Sequence, residues 1–469
     1  MSTNRNKKNG FQGPLRVCAA NPRYFSDESG RPVYLTGTHT WGNFKNMGKQ
    51  DPPPEFDYEA YLDLLADWNH NFIRLWTWEL ARFVYEKGTL TYVEPFPWAR
   101  TGPGNALDGK PKFDLNTFHQ PYFERLRDRV LAAGERGMYV AVMLFEGHGL
   151  HGSLPPWCWD GHPFNAANNV NGIDGDPDGD GRGLETHMLA IPRVTALQEA
   201  YVRKVIETLN DLDNLLYEIC NESGSYSIEW QHHMIDFIHH LEAEQPNQHP
   251  VGMTFPWRKN GMGTHEDLLK SRAEWISPFH TEGYRDAPPA ADGSKVILTD
   301  TDHLWGIPKD DQIQDAVAWV WKSLCRGLNP IFMDPYHAPE PDRNSADTAW
   351  TEHTEQKTRI DMRYEQIRRD MGKARRYADR MNLAKAVPHN QLASTEYCLA
   401  NPGTEYLAYL PDGGTVTLDL SAANGELAVE WFDPSNDAVT PQGTVPGGAC
   451  RELTAPFEGH AVLFVSRQG

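Results

Sequence analysis

Eight short runs, each apolar at nearly every position, punctuate the first three quarters of the chain. They cover residues 33–37, 72–76, 139–145, 215–220, 251–255, 275–279, 296–300 and 330–333. Continuous rather than alternating apolarity marks strands buried on both faces, the pattern of parallel sheet. Most runs are separated by amphipathic helical patterns, at 58–68, 121–136, 197–212, 230–244 and 312–326, and helical periodicity continues through 352–381. Eight alternating units predict a (β/α)8 TIM barrel, with the fifth and sixth units the shortest. Beyond about Lys385 the texture changes to short alternating strands between Gly, Pro and Asp turns, as in Thr415-Val-Thr-Leu-Asp-Leu and Ala428-Val-Glu-Trp-Phe. That predicts a small antiparallel β-sandwich. We therefore expect a barrel over 1–384 and a sandwich over 385–469, a division that suits a 469-residue chain.

Charge narrows the partners. With 44 basic and 64 acidic residues the net charge is −20, which disfavours nucleic acid and anionic membranes. Fifteen Trp suit stacking on sugar rings, and many of them sit beside strand ends. No apolar run is long enough to span a membrane. Residues 1–14 are polar and lack the apolar core of a signal peptide, so a cytoplasmic location is expected for the chain as it stands, and a secreted one if a leader has been removed. The six Cys are scattered without C-x-x-C and are expected as free buried thiols, Cys220 packing behind its strand.

The fourth run ends in Asn221-Glu222. The C-terminal ends of barrel strands carry catalysis. A carboxyl desolvated there is expected to have a raised pKa, suited to a general acid. Arg74, inside the second run, points into the barrel top and must be paired, with a strand-four or strand-seven carboxylate expected.

The segment Asp213-Asn-Leu-Leu-Tyr-Glu-Ile219 leading to Asn221-Glu222 resembles strand four of the clan A retaining glycoside hydrolases. Asn21-Pro-Arg-Tyr-Phe25, Gly30-Arg-Pro32 and Leu35-Thr-Gly-Thr-His-Thr-Trp41 resemble the opening of the apiosidase-like, DUF4038-type branch of that clan. Trp431-Phe-Asp-Pro434, Pro456 and Val462-Leu463 resemble the sandwich, labelled collagen-binding, that follows such barrels. The resemblance implies that Asn221 orients the sugar 2-hydroxyl and that Glu222 is the acid/base. It places the nucleophile at the end of strand seven, where the clan carries Glu and this chain reads Thr299-Asp300-Thr301-Asp302. Asp300 fits the usual position, Asp302 is the second candidate and Glu282 the third; the shorter side chain leaves an inverting mechanism open. Arg74 would hold the nucleophile ionised. His39, Trp41, Glu146, His148, His280, Tyr284, His303, Trp305, Asp334, Tyr336 and His337 stand where substrate contacts are expected, Trp305 or Tyr336 flooring the site.

The third loop, 147–192, is long enough to shape a pocket. Within it Asp174, Asp176, Asp178, Asp180 and Glu185 match the spacing D-x-D-x-D-G-x5-E of a calcium loop, although position eight is Gly181 and Arg182 adds positive charge. A structural calcium is the one metal expected, and no cofactor is expected for catalysis. The reading is a glycoside hydrolase acting on an oligo- or polysaccharide. Its rivals are a non-catalytic carbohydrate-binding barrel and a metal-dependent hydrolase using His39, His148, His151, His162 and His187, which lack H-E-x-x-H spacing.

Overall fold

The computed structural model describes residues 10–85, 89–152, 157–257, 261–336 and 362–467. Eight parallel strands close into a barrel in sequence order: β1 (Gly37–His39), β2 (Phe72–Leu75), β3 (Tyr139–Glu146), β4 (Leu215–Asn221), β5 (Val251–Thr254), β6 (Trp275–Ser277), β7 (Val296–Asp300) and β8 (Asn329–Met333). Seven of the eight overlap the expected runs along most of their length. The first begins four residues late. Pro32–Val33 instead joins Arg16–Val17 and Phe25–Ser26 in a small outer antiparallel sheet. The run is apolar because Leu35, with Leu15 and Phe25, plugs the N-terminal end of the barrel against Phe72, Tyr139 and Leu216.

The outer helices are α1 (Tyr58–Asp67), α2 (Gln120–Glu135), α3 (Pro192–Leu209), α4 (Ile228–Glu242), α5 (His265–Lys270), α6 (Ile313–Cys325) and α7 (Glu365–Arg380). Their starts follow local chemistry. The Asp57 side chain accepts from Ala60 N at the head of α1, and Pro opens α2 and α3 within the first turn. In α1 the buried Tyr58, Tyr61, Leu62 and Leu65 form one stripe at helical spacing. The first part of the periodicity expected at 352–381 lies outside the described residues, as does His337.

Inside the barrel the side-chain period of two sets the layers. Phe72, Leu216 and Leu298 belong to the lower apolar layer with Trp275. Gly252 makes room for that indole: a Cβ there would lie 1.8 Å from Trp275 Cε2. Two residues further along the same strands come Arg74, Glu218 and Asp300, so the next layer is charged.

The second loop, which drew no expectation from the sequence, carries most of the additional sheet at the C-terminal face of the barrel. Asn46–Gly48 from the first loop pairs with Thr89–Glu94, which also pairs with Arg82–Tyr85. Trp98–Asn105 and Pro111–Phe118 form a hairpin. Third-loop residues clamp that hairpin: Asn168 Oδ1 accepts from Leu107 N and Asn171 Oδ1 from Leu115 N.

The C-terminal strands are β9 (Val387–Pro388), β10 (Cys398–Asn401), β11 (Glu405–Leu410), β12 (Thr415–Asp419), β13 (Glu426–Asp433), β14 (Ala438–Pro446), β15 (Cys450–Thr454) and β16 (Ala461–Ser466). Six form one antiparallel sheet, and β12 pairs with β15. One face of the large sheet packs inward through Ala400, Leu427 and Trp431. The other joins the barrel core through Leu407, Tyr409, Phe432 and Phe464, with Trp321 of α6 stacked on Tyr409. All six Cys are free, and five are buried; Cys450 is exposed, on β15, correcting the expectation of six buried thiols.

Candidate active site

At the C-terminal mouth of the barrel Arg74 of β2 reaches across the ring to partners on β4 and β7. Its Nε and Nη2 donate to Glu218 Oε2 and Oε1 at 2.6 and 2.5 Å, Nη2 also donates to Asn221 Oδ1 at 2.7 Å, and Nη1 donates to Asp300 Oδ2 at 3.1 Å. A planar guanidinium matches such a set where an ammonium would not. Glu218 has no solvent exposure. It was not among the candidates, yet a lone charge inside Leu215-Leu-Tyr-Glu-Ile-Cys is a sequence signal for a buried counter-charge.

Asp300 is fully engaged. Its Oδ1 meets His39 Nε2 at 3.0 Å and accepts from Asp302 N at 2.9 Å. Burial opposes the charge, but His39, Arg74 and His303 outweigh it and hold the carboxyl well below the usual carboxylate range. His39 stacks on Trp76 and serves as a partner of Asp300.

Asp302 is the second residue of the short helical turn Thr301–Leu304 that follows β7, and one of its carboxylate oxygens lies within 4.8 Å of a carboxylate oxygen of Glu222. Its Oδ2 accepts no hydrogen bond, with Arg74 Nη1 at 3.5 Å and His303 Nε2 at 3.7 Å. Burial, then the charges of Glu222 and Asp300, push this carboxyl well above the usual range. His303 is itself held on both sides, by Ser277 Oγ at 2.8 Å and Asn221 Oδ1 at 3.2 Å.

Glu222 follows β4 in a left-handed conformation, φ +44°, which costs about 1–3 kcal/mol for a non-glycine residue and marks a constrained position. The raised pKa expected from desolvation is corrected. Burial does push the carboxyl up, but His148 Nδ1 lies 2.8 Å from Oε2, and its hydrogen bond and charge, with His303 and His151, bring Glu222 below the ordinary value. His148 in turn is raised to about 9: burial opposes this, and Glu222, Glu146 and Asp302 overcome it.

Glu146, expected at the substrate, is 1% exposed. Its Oε2 accepts from Gly149 N at 2.8 Å while Oε1 has no partner, and burial pushes the carboxyl up to about 7. Beneath it lies a polar network that the sequence did not reveal. Glu79 Oε2 accepts from Glu146 N and meets His187 Nε2 at 2.8 Å, with His162 Nε2 3.6 Å from Oε1. The buried Lys45 donates to Trp78 O and is brought down to about 7 by desolvation, with Glu79 opposing. Cys220 is fully buried, its Sγ 4.0 Å from His187 Nδ1.

Several expected contacts are elsewhere. Asp334 is bidentate to Arg368 of α7, both without exposure, and so ties α7 to the end of β8 rather than facing a ligand. Trp41 is 5% exposed and packs on Trp76 and Trp78 beneath the added sheet. Tyr336 packs edge-on against Tyr61, and Trp305 against Trp319, so the structure shows neither as a floor. Glu282 is two thirds exposed and pairs with His265 at 2.9 Å, which removes it as a nucleophile; Tyr284 packs on the same His265 ring, and His280 is exposed against Phe279. An aromatic not anticipated is Trp257, after β5, lying parallel to His148 at 6.2 Å.

In the third loop Asp176, Asp178 and Glu185 present carboxylate oxygens within 4.8 Å of one another. Asp174 and Asp180 are not in this group. Asp174 caps Asp176 N, while Asp180 caps Arg182 N and lies 3.8 Å from its guanidinium. No helix of the described residues is long and apolar enough to cross a membrane.

Residues 90–256 match the model "Domain of unknown function (DUF6298)", and residues 384–464 match "Putative collagen-binding domain of a collagenase". Neither match is the DUF4038-type branch expected from the sequence. No curated protein sequence matches the chain. Among solved structures, one named "Glycoside hydrolase" aligns with TM-score 0.60 at 12% identity over 97% of both chains. A glycoside hydrolase family 5 protein from Bacteroides vulgatus aligns with TM-score 0.61 at 12% identity, covering 98% of this chain and 94% of its own. A "putative glycoside hydrolase" from the same species reaches 0.63 at 14%, over 97% and 83%. At such identities the likeness speaks for architecture: this chain shares the closed parallel barrel with an appended antiparallel module.

Proposed function

We propose that the chain is a glycoside hydrolase acting on an oligo- or polysaccharide, with Glu222 as acid/base and Asp302 as nucleophile. The observation that carries this is the approach of the two carboxylates, whose oxygens lie within 4.8 Å. Retaining enzymes hold their carboxyls about 5–5.5 Å apart, and inverting ones about 6.5–9.5 Å; an approach of the nearest oxygens to within 4.8 Å supports the shorter class. Asp302 takes precedence over Asp300 because both oxygens of Asp300 are occupied, whereas Asp302 Oδ2 accepts no hydrogen bond. Asp300 then acts with His39 and Arg74 as the fixed anchor of the β7 end. The solved structures of similar architecture that are named as glycoside hydrolases support the class. The five His of the metal-dependent reading do not gather on one point: His162 and His187 face Glu79, His39 faces Asp300, and His148 and His151 face Glu222, while the one His grouped with Glu222 and Asp302 is His303. A panel of aryl glycosides and plant and microbial oligosaccharides, assayed with the unaltered protein, Glu222→Gln and Asp302→Asn, tests the reading. Both variants should fall by several orders of magnitude. Full activity in Glu222→Gln would refute it.

We further propose a structural divalent cation at Asp176, Asp178 and Glu185. Glu185 Oε2 is buried without a partner, and burial plus the neighbouring carboxylates raise both Asp176 and Glu185 above their usual range. A hard cation would relieve that repulsion.

A further inference from the structure

We propose that His148 is a positioning residue for the acid/base step, sharing one proton with Glu222 across the Nδ1–Oε2 contact so that the pair, not the carboxyl alone, holds the proton destined for the leaving oxygen. This role rests on the glycosidase reading above.

The contact is built rather than incidental. Gly147 N donates to Asn221 O at 2.8 Å, and a Cβ on Gly147 would lie 2.7 Å from Ser223 Cα, so only glycine lets the two segments run this close. His151 Nε2 lies 2.7 Å from the Glu222 carbonyl, which pins the same residue through its backbone. The Trp257 ring lies parallel to His148 and fixes its plane. These contacts hold Glu222 in its left-handed conformation with Oε2 aimed at the imidazole. The charges facing the pair come from two more elements, Glu146 at the end of β3 and Asp302 and His303 after β7, and from His151 on the same turn as His148.

A carboxylate already ionised cannot act as an acid, and His148, working against burial, leaves Glu222 in that form in the empty site. A shared proton removes the difficulty. In one form Nδ1–H donates to Oε2; in the other the carboxyl O–H donates to Nδ1. As the glycosidic C–O bond breaks, its electron pair goes to the leaving oxygen, which takes the proton from Glu222, and the anomeric carbon bonds to Asp302. The pair is then left as carboxylate and neutral imidazole. In the second step Glu222 takes a proton from the attacking water, the carbon–Asp302 bond breaks with its electron pair returning to Asp302, and the proton is again shared. The pair loses its proton only as pH rises through the His148 value of about 9.

The test has two readouts. Nitrogen-15 NMR titration of the His148 ring needs no activity. It should show titration near 9 in the unaltered protein, and a fall of more than about one pH unit in Glu222→Gln, where the charge partner is gone. Kinetics of His148→Gln on aryl glycosides should show the basic limb of kcat moved down by about one unit or more, and a loss of about 100-fold for phenol-type leaving groups but little for 2,4-dinitrophenol, which needs no proton. A ring that titrates in the ordinary range and ignores Glu222→Gln would overturn the role, as would an unchanged basic limb in His148→Gln. Glu222→Gln with full activity on phenol-type substrates would instead defeat the glycosidase reading, and the NMR titration would still report whether the pair exists.

Discussion

Replacing Arg74 should damage stability more than any other single change at the site. Arg74→Met keeps a side chain of similar length but removes five polar contacts: two to Glu218, one each to Asn221 and Asp300, and the 3.5 Å approach to Asp302. Glu218 has no solvent exposure and Asp300 is 2% exposed, so water cannot replace the lost donors. Removing one partner of a buried pair costs about 3–5 kcal/mol, because the remaining charge stays buried. Here Glu218 is stranded outright, while Asp300 keeps His39 Nε2 and the Asp302 N–H, so the loss falls within that range. It is a large part of the ~5–15 kcal/mol that separates folded from unfolded domains. Scanning calorimetry with urea titration at pH 7 measures it. The cycle partner is Arg74→Met/Glu218→Gln. Neutralising the stranded Glu218 should restore about 1–3 kcal/mol, the range for coupled neighbours. A loss under about 1 kcal/mol in Arg74→Met, or no recovery in the double variant, would refute the view that the guanidinium holds this layer together.

Asp334→Asn should cost about 3 kcal/mol by removing the bidentate carboxylate from the buried Arg368, while the folded fraction keeps its kcat, since Asp334 pairs with α7. Glu146→Gln should be more stable than the unaltered protein at pH 8 by up to about 3 kcal/mol. The sign follows from its raised value of about 7: the folded form binds more protons than the unfolded one between the ordinary carboxyl range and pH 7, so Glu146 drains stability as pH rises through that window, and denaturation midpoints at pH 5 and 8 would show the gap closing at low pH. Calcium at 100 times its Kd should stabilise the protein by about 2.7 kcal/mol, and Asp176→Asn/Asp178→Asn should abolish the shift. In kinetics, the acid limb should lie above the ordinary carboxylate range because Asp302 must ionise, and the basic limb near 9 because His148–Glu222 must keep its proton.

Much of the architecture was legible because buried parallel strands must be apolar throughout. The runs at β4, β7 and β8 map onto strands almost residue for residue. Leu35 shows where that signal misleads: a segment that plugs the barrel end is as apolar as a strand that builds it. The second-loop sheet escaped notice because Pro111–Phe118 carries Pro, Lys, Asp and Asn, and Thr89–Glu94 is a single short run of Thr, Leu, Tyr, Val and Glu between two barrel units. Within the site, strand-end position pointed to Arg74, Asn221, Glu222, Asp300 and Asp302, which the structure places side by side. Position alone could not separate the two strand-seven carboxylates, since their roles depend on which oxygens Arg74 and His39 already occupy. It also could not give the sign of the Glu222 shift, because the deciding charge, His148, arrives from 74 residues earlier in the chain.

The most direct test of the central claim is covalent trapping. An activated 2-deoxy-2-fluoro glycoside of the sugar preferred in the aryl-glycoside panel should inactivate the enzyme and leave one sugar on the protein. Peptide mapping by mass spectrometry should place that sugar on Asp302, as the approach of its carboxylate to Glu222 requires. A label on Asp300, or turnover with inversion and no label at all, would contradict the account.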